Sequence, residues 1–189
     1  MDAALQLFSR QGYRGTNMRE IAKAAGVSTG NVYHHFEDKE AIFRTLLDEF
    51  WAIAESRRYP LTRVLSSGRF PEDIEQLGSA ARDSVREYRQ YVALIYVDVI
   101  EFDGTHIRKF YAEMANRYTN RLKEEGTLEN IRSRLREGVS PVSAMLLATR
   151  IFINYFSIEI LFGVPEPFGK DSQQIIIEIA DILRNGLLA

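Results

Sequence analysis

Apolar residues recur at helical spacing along almost the whole chain, and glycine or proline residues fall between the periodic segments. Between residues 106 and 125, large apolar side chains stand three and four residues apart, which is typical of an amphipathic helix. Residues 91–102 are apolar and rich in β-branched side chains, so a strand is an alternative there. The length of that segment and its helical neighbours favour a buried helix. The pattern therefore predicts an all-α fold.

Residues 18–36 have the spacing of a helix-turn-helix, in which two short helices cross steeply with a minimal turn. The crossing leaves room only for a small side chain on the first helix, and Ala22 meets that need. Gly26 supplies a turn residue that tolerates positive φ, and Val32 can bury an aliphatic side chain between the helices. A chance helical hairpin with a glycine turn would show the same spacing. The small core that we expect around the crossing comprises Leu5, Phe8, Ile21, Val27 and Phe36.

Capping signals divide the first sixty residues into short helices. Thr16 or Asn17 can cap the second helix. Asn17 and Glu20 have the spacing of a capping box, in which each side chain accepts a backbone N–H of the other residue. Ser28 and Asp38 stand where they can cap the next two helices. Gly12 is placed to end the first helix. These signals predict an N-terminal module of three short helices followed by a long one.

The exterior of the second helix of this motif suits DNA. Its first residues are short or polar, and a helix N-terminus attracts phosphate. Arg19 on the preceding helix is a natural bidentate donor to guanine, and Lys39 and Arg44 can contact phosphate. The chain as a whole has a net charge of −2, so a basic DNA-binding surface must be local. Residues 1–47 contain six basic and five acidic residues, a balance of only +1.

A longer string of residues resembles the N-terminal signature of the TetR family of transcriptional repressors. The resemblance covers about residues 3–47, roughly a quarter of the chain. Members usually carry another, often basic, helical turn before the Ala-Ala-Leu segment, so we expect either a native start upstream of Met1 or a weaker DNA grip on that side. The string comprises Ala3 to Phe8, Gly12-Tyr13, Thr16, Ile21-Ala22, Ala25 to Ser28, Val32 to Phe36 and Lys39-Glu40.

The resemblance implies a homodimer that binds a palindromic operator in double-stranded DNA. It implies that Thr29, Gly30 and Tyr33 meet bases or the wall of the groove. It also implies a base or phosphate contact from Arg19. The phosphate contacts that it implies come from Thr16, Asn31, His34, His35 and Lys39.

Two segments near the C-terminus, residues 143–162 and 171–188, are apolar on nearly every face. A helix that is apolar all round must be covered all round, and a second subunit is a simple cover. We therefore expect residues 1–46 to form the DNA-binding domain and residues 47–189 to form an effector-binding and dimerisation domain; a purely internal core is the alternative. The residues expected at the dimer interface are Phe152, Phe156, Ile160, Ile175, Ile179, Ile182 and Leu183.

An effector pocket is less evident from the sequence. Asp98 and Glu101 interrupt an apolar helix, and buried carboxylates are costly unless paired. Pairing with Arg150 or Arg108, or exposure to solvent, would account for them. The alternative is a pocket for an apolar or cationic small molecule, and the residues expected to line it are Tyr96, Asp98, Phe152 and Tyr155.

Other classes of function find little support in the sequence. The chain has no cysteine, which excludes disulfides and thiolate chemistry and fits a reducing cytoplasm. His34 and His35 diverge by about 100° on a helix and cannot easily share a metal. We therefore expect no enzyme activity, no cofactor and no metal. Residues 143–162 are long enough to span a bilayer, but Arg150 and Glu159 lie inside the segment, which favours a buried soluble helix.

These patterns together predict a cytoplasmic DNA-binding regulator, a repressor that a small effector releases from its operator. A helical DNA-binding protein regulated by a protein partner is the alternative.

Overall fold

The structure is a computed structural model that describes residues 1–187. Within that range all the regular secondary structure is helical, without a strand, as the sequence predicts. The helices are α1 (Asp2–Gln11), α2 (Met18–Ala24), α3 (Thr29–His35), α4 (Lys39–Glu55), α5 (Pro60–Leu65), α6 (Ile74–Glu87), α7 (Arg89–Phe102), α8 (Ile107–Glu124), α9 (Leu128–Arg132), α10 (Pro141–Ile160) and α11 (Ser172–Leu187). The segment for which a strand was the alternative is α7.

The chain divides into two compact units. Unit 1 comprises Met1–Ile53 and Tyr88–Ala112, and unit 2 comprises Ala54–Glu87 and the chain from Glu113 onward. Unit 1 thus extends beyond the predicted 1–46 segment, because α7 packs against α1.

The core of unit 1 forms around aromatic rings. Phe43 of α4 is fully buried and meets Phe8 edge-on at 5.5 Å and stacks on Phe102 at 5.1 Å between ring centroids. Tyr13 joins the cluster at 4.4 Å from Phe102. Aromatic pairs at these distances contribute beyond their buried area, so this cluster ties α1 and α4 to the end of α7.

The predicted helix caps are confirmed. The Asn17 side chain accepts hydrogen bonds from Arg19 N and Glu20 N, and Glu20 accepts the Asn17 N–H in return. Ser28 Oγ accepts Asn31 N at 3.1 Å, and Asp38 Oδ1 accepts Ala41 N at 2.7 Å. Each cap satisfies a donor that the first turn of a helix leaves free.

The predicted crossing of α2 and α3 is also present, with one correction to its core. Ala22 and Val32 are buried, and Gly26 has a φ of 69°. Val27 was expected in the core but is 43% exposed, because it lies in the turn after Gly26 rather than on a helix face.

Unit 2 is organised around α6, α10 and α11. Gly78 of α6 is buried, and a Cβ placed there would lie 2.8 Å from the Phe152 ring and 3.0 Å from Ile176. The absent side chain therefore lets α10 and α11 approach the α6 backbone. Of the described helices, α10 is long and apolar enough to cross a membrane, but half of that stretch is buried in the protein, as in the core helix of a soluble domain.

Candidate nucleic-acid interface

α3 presents an exposed polar face. Val32 is the residue that this helix buries, and Tyr33 is 54% exposed. Of the remaining residues predicted to contact DNA from α3, Gly30, Asn31, His34 and His35 are exposed and Thr29 is half-buried. One buried residue fixes the helix while its other faces stay free, which is the arrangement needed to enter a groove.

The N-terminus of α2 borders the same surface. The capping box at Asn17 sets the start of the helix, and Arg19 follows two residues later with an exposed side chain. A shallow open cleft of about 520 Å³ lies between this end of α2, Tyr33 of α3 and the start of α4. Its lining comprises Thr16, Asn17, Met18, Arg19, Tyr33, Asp38 and Lys39. The structure therefore brings Arg19 and Tyr33 to one site, although they are far apart in the motif.

Two residues predicted to contact phosphate have protein partners instead. Thr16 is 2% exposed, and its hydroxyl donates to Gly12 O at 2.8 Å. Lys39 Nζ donates to Tyr13 O at 2.6 Å and to Thr16 O at 2.7 Å, and lies 3.9 Å from the centre of the Tyr13 ring. Burial lowers the pKa of Lys39, although the charge of Glu101 opposes the shift. In this structure both side chains hold the loop before α2 and neither is presented to a phosphate.

Glu101 is a residue that sequence reasoning did not place at this site. Its carboxylate accepts Tyr13 N at 2.9 Å and Arg14 N at 2.7 Å, and the Arg14 side chain lies 3.9 Å away. The signal in the sequence was an acidic residue interrupting an apolar helix, but nothing local indicated a partner 88 residues away.

Asp98 also has a partner other than the two arginines considered for it. It is fully buried, and its Oδ1 lies 2.6 Å from His106 Nδ1 while its Oδ2 accepts Ile107 N at 3.2 Å. The other ring nitrogen of His106 lies 3.4 Å from Glu40. The Arg108 guanidinium instead donates to the backbone oxygen of Asp103.

The four residues expected to line an effector pocket fall in both units. In unit 1, Tyr96 is exposed while Asp98 is buried against His106. Residues two apart in a helix point in directions that differ by about 200°, so these two side chains face opposite sides of α7. In unit 2, Phe152 and Tyr155 are both buried on one face of α10. The Tyr155 hydroxyl has no hydrogen-bond partner within the described part of the chain. Burial, followed by the charges of Glu159 and Glu166, raises the pKa of Tyr155.

The residues expected at a dimer interface point in different directions. Phe152 and Phe156 are fully buried within their own chain and Ile175 is 2% exposed, so these three side chains offer no surface to a partner. Ile179 is buried, Ile160 and Leu183 are half-buried, and Ile182 is 64% exposed. Among the side chains of α10 and α11 that the structure describes, the exposed apolar ones are Leu147, Ile151, Ile177 and Ile182.

Among residues 1–187, no group of three or more metal-ligating side chains comes together.

Comparison with known proteins places this interface in a family context. The sequence profile described as "Bacterial regulatory proteins, tetR family" matches residues 1–46, the segment that forms α1 to α3 and the beginning of α4. The match therefore covers the exposed α3 face and the cleft beside it.

Two relatives show how far the sequence likeness extends. The HTH-type transcriptional regulator YerO of Bacillus subtilis (strain 168) is 23% identical over 186 residues, which are 97% of this chain and 63% of YerO. The HTH-type transcriptional regulator AcrR of Shigella flexneri is 50% identical over 56 residues, which are 30% of this chain and 24% of AcrR. The matched region thus spans less than two thirds of either relative.

A solved structure shows a likeness of fold over nearly the whole of both chains. NalD of Pseudomonas aeruginosa, the secondary repressor of the MexAB-OprM multidrug efflux pump, matches with a TM-score of 0.64 at 19% identity. The match covers 98% of this chain and 93% of NalD. The two proteins share an all-helical fold with an N-terminal helix-turn-helix.

Proposed function

The chain belongs to the TetR family of bacterial DNA-binding transcriptional regulators, which are not enzymes, and we propose that it acts as a homodimeric repressor released from a palindromic operator by a small molecule. The single observation that carries the proposal is the exposed polar face of α3 beside the cleft that holds Arg19 and Tyr33. A bacterial regulator of this kind works where the chromosome is, so we assign it to the cytoplasm.

Recognition of the operator's base sequence would come from residues that the structure leaves exposed. Arg19 can donate two hydrogen bonds to guanine, and Tyr33 and Asn31 can reach the groove from α3. His34 and His35 lie at the C-terminal end of α3, where they can meet the phosphate backbone. The local charge of only +1 over residues 1–47 gives weak nonspecific attraction, so useful affinity needs two half-sites bound at once.

The dimer would form through the exposed apolar faces of α10 and α11. Leu147 is 62% exposed and Ile151, one turn later on α10, is 43% exposed. Ile177 and Ile182 continue the exposed apolar surface on α11. These exposed residues replace the buried Phe152 as the expected contacts. The interface is still formed by α10 and α11.

The effector site would lie in unit 2, around Tyr155. A buried hydroxyl without a partner costs free energy, and a ligand that accepts or donates a hydrogen bond there would remove that cost. Glu159 and Glu166 add negative charge near the hydroxyl, which suits a cationic, largely apolar ligand. Asp98 is no longer needed for this site because His106 engages its carboxylate.

DNA binding is tested by mobility shift on the DNA upstream of the protein's own gene. We expect Arg19→Ala and Tyr33→Ala each to weaken binding by about tenfold or more while leaving the melting temperature unchanged. Arg10→Ala is the matched control, because Arg10 is exposed in the same module but lies outside the cleft. Wild-type affinity in both variants would refute the assignment of this surface.

Dimerisation is tested by sedimentation at micromolar concentration. Ile151→Glu combined with Ile182→Glu should give a monomer and lose operator binding. Ile100→Glu is the control, since Ile100 is 76% exposed on α7 and takes no part in the proposed interface. A wild-type monomer, or a dimer unchanged by the double substitution, would overturn the proposed interface.

The effector site is tested by thermal shift with tetraphenylphosphonium, an apolar cation, and with dodecanol as a neutral probe. A ligand that binds the native state must raise the melting temperature. We expect a larger rise with the cation, reduced in Glu159→Gln, and loss of operator binding when the cation is present. Stabilisation by neither probe would favour the alternative of regulation by a protein partner.

A further inference from the structure

The loop between α1 and α2, residues 12–16, is held from two sides by opposite charges. On one side the Tyr13 and Arg14 N–H groups donate to the two carboxylate oxygens of Glu101, at 2.9 Å and 2.7 Å. On the other side Lys39 Nζ donates to the carbonyl oxygens of Tyr13 and Thr16, at 2.6 Å and 2.7 Å. Hydrogen bonds that involve a charged group are shorter and about twice as strong as neutral ones. The position of this loop is therefore set by side chains from α7 and α4.

Gly12 makes the close approach of Glu101 possible. Its φ of +79° and ψ of 173° lie in a region that essentially only glycine adopts. A Cβ at this position would lie 2.5 Å from Glu101 Oε1, which is closer than nonbonded atoms come. The side chain of Glu101 is only 14% exposed, so water does not replace these contacts freely.

The same end of α7 is linked to the first turn of α4 through His106, which follows α7. Asp98 precedes Glu101 by three residues and so lies on the same side of the helix. It holds His106, whose other ring nitrogen faces Glu40, the residue after Lys39. The hydrogen bonds from Glu101 and the helix that carries Lys39 are therefore both connected to one turn of α7, residues 98–101.

The loop leads directly into the DNA-facing end of α2. Thr16 is followed by Asn17, the cap of α2, and two residues later by Arg19 in the cleft. A shift of the loop backbone would carry the cap and Arg19 with it. We propose that Glu101 is a positioning residue for DNA binding, which fixes the loop so that Arg19 and Tyr33 meet the operator together. This inference rests on the proposed function.

Electrostatics and positioning predict opposite results for one substitution. Glu101→Gln removes a negative charge from the module, which on charge alone should strengthen binding to the DNA polyanion. The same substitution replaces one carboxylate oxygen by an amide NH₂, which cannot accept a hydrogen bond from a backbone N–H. A weaker complex would therefore identify loss of positioning.

The experiment compares Glu101→Gln with Asp48→Asn, a charge-matched control at an exposed position of α4. For each protein the affinity is measured for the operator fragment and for a random-sequence duplex of equal length. We expect Glu101→Gln to weaken operator binding by about tenfold, the loss of one charge-assisted hydrogen bond, with random-duplex affinity unchanged or raised. Asp48→Asn should retain the wild-type preference. Gly12→Ala, which displaces the Glu101 carboxylate without changing charge, should also lose operator preference.

A spectroscopic readout without DNA accompanies these measurements. The amide proton resonances of Tyr13 and Arg14 should lie downfield in the wild-type protein and move upfield in Glu101→Gln but not in Asp48→Asn. Operator affinity equal to wild type in Glu101→Gln would overturn the inference, as would an equal loss on both duplexes. A wild-type protein with no operator preference would instead refute the proposed function, and this inference with it.

Discussion

The helix-turn-helix and the α6–α10–α11 core hold their helices in different ways. α3 buries one residue, Val32, whereas α10 buries nine, so burial cannot explain the placement of both. Around α2 and α3, backbone groups are held by a capping box, by Lys39 and by Glu101. In unit 2 the helices meet through apolar contacts such as Phe152 against Gly78.

The difference follows from what each region must expose. A helix that enters a DNA groove has to leave most of its surface free, so it gains little from the hydrophobic effect and is oriented by hydrogen bonds. A helix that supports a domain can bury a broad apolar face and gains stability from its area. Unit 2 should therefore be sensitive to lost volume, and the DNA-binding module to lost polar partners.

Lost volume in unit 2 should have the greatest effect on stability. Phe152→Ala removes a fully buried ring beside Gly78 and should cost about 3–5 kcal/mol of unfolding free energy. Urea denaturation followed by circular dichroism measures the change. Ile100→Ala, a truncation at an exposed position, should stay within about 0.5 kcal/mol of wild type. A Phe152→Ala protein as stable as this control would remove the basis of the comparison.

Loss of a buried polar contact in unit 1 should have the next largest effect on stability. His106→Leu leaves the fully buried Asp98 carboxylate without its side-chain donor and should cost about 2–3 kcal/mol. The double variant with Asp98→Asn should lose less than the sum of the single losses, because both substitutions remove the same contact. Additive losses would show that the two side chains do not depend on each other.

Loss of the helix cap should have a smaller effect on stability. Asn17→Ala removes the acceptor for Arg19 N and Glu20 N and should cost about 1 kcal/mol. Gln6→Ala, the truncation of an exposed amide on α1, is the matched control and should change little. If the module depends on polar anchoring, Asn17→Ala should also weaken operator binding in the mobility shift, whereas Gln6→Ala should not.

The smallest expected effect concerns pH. Asp73 is buried in unit 2, and burial raises the pKa of its carboxyl despite the hydrogen bond from Ser67. A carboxyl with a raised pKa binds its proton more tightly in the folded state, so its ionised form lowers stability at neutral pH. Asp73→Asn should therefore raise the melting temperature at neutral pH, and the gain should shrink as pH falls towards the ordinary value of 3.8. Asp48→Asn, at an exposed position of α4, is the matched control. A gain in Asp73→Asn that is independent of pH would contradict the assignment.

The features that the sequence predicted correctly depend on near neighbours. The caps at Asn17 and Ser28 follow from residues two or three positions away, and the crossing of α2 and α3 follows from Ala22, Gly26 and Val32. The exposed α3 residues were predicted for the same reason, since a short helix that buries Val32 alone leaves its polar neighbours in the sequence at the surface. Val27 was misplaced because a turn residue belongs to neither helix face.

The features that were missed depend on helices distant in sequence. Because α10 is apolar on nearly every face, helical periodicity could not show which face its own chain buries. Phe152 lies on the face that its own chain buries. Nor could it pair Asp98 with His106, because periodicity within one helix does not show which side chain from outside the helix comes near.

The apolar spacing, the breakers and the caps determined by themselves an all-helical chain with a helix-turn-helix at its N-terminus, because helix formation and capping are decided within a few residues. Only the tertiary structure decided that Glu101 of α7 holds the loop before α2, across 88 residues of chain. A carboxylate can bond to any backbone N–H within reach, so its partner is selected by the packing of α7 against α1 and not by its own position in the sequence.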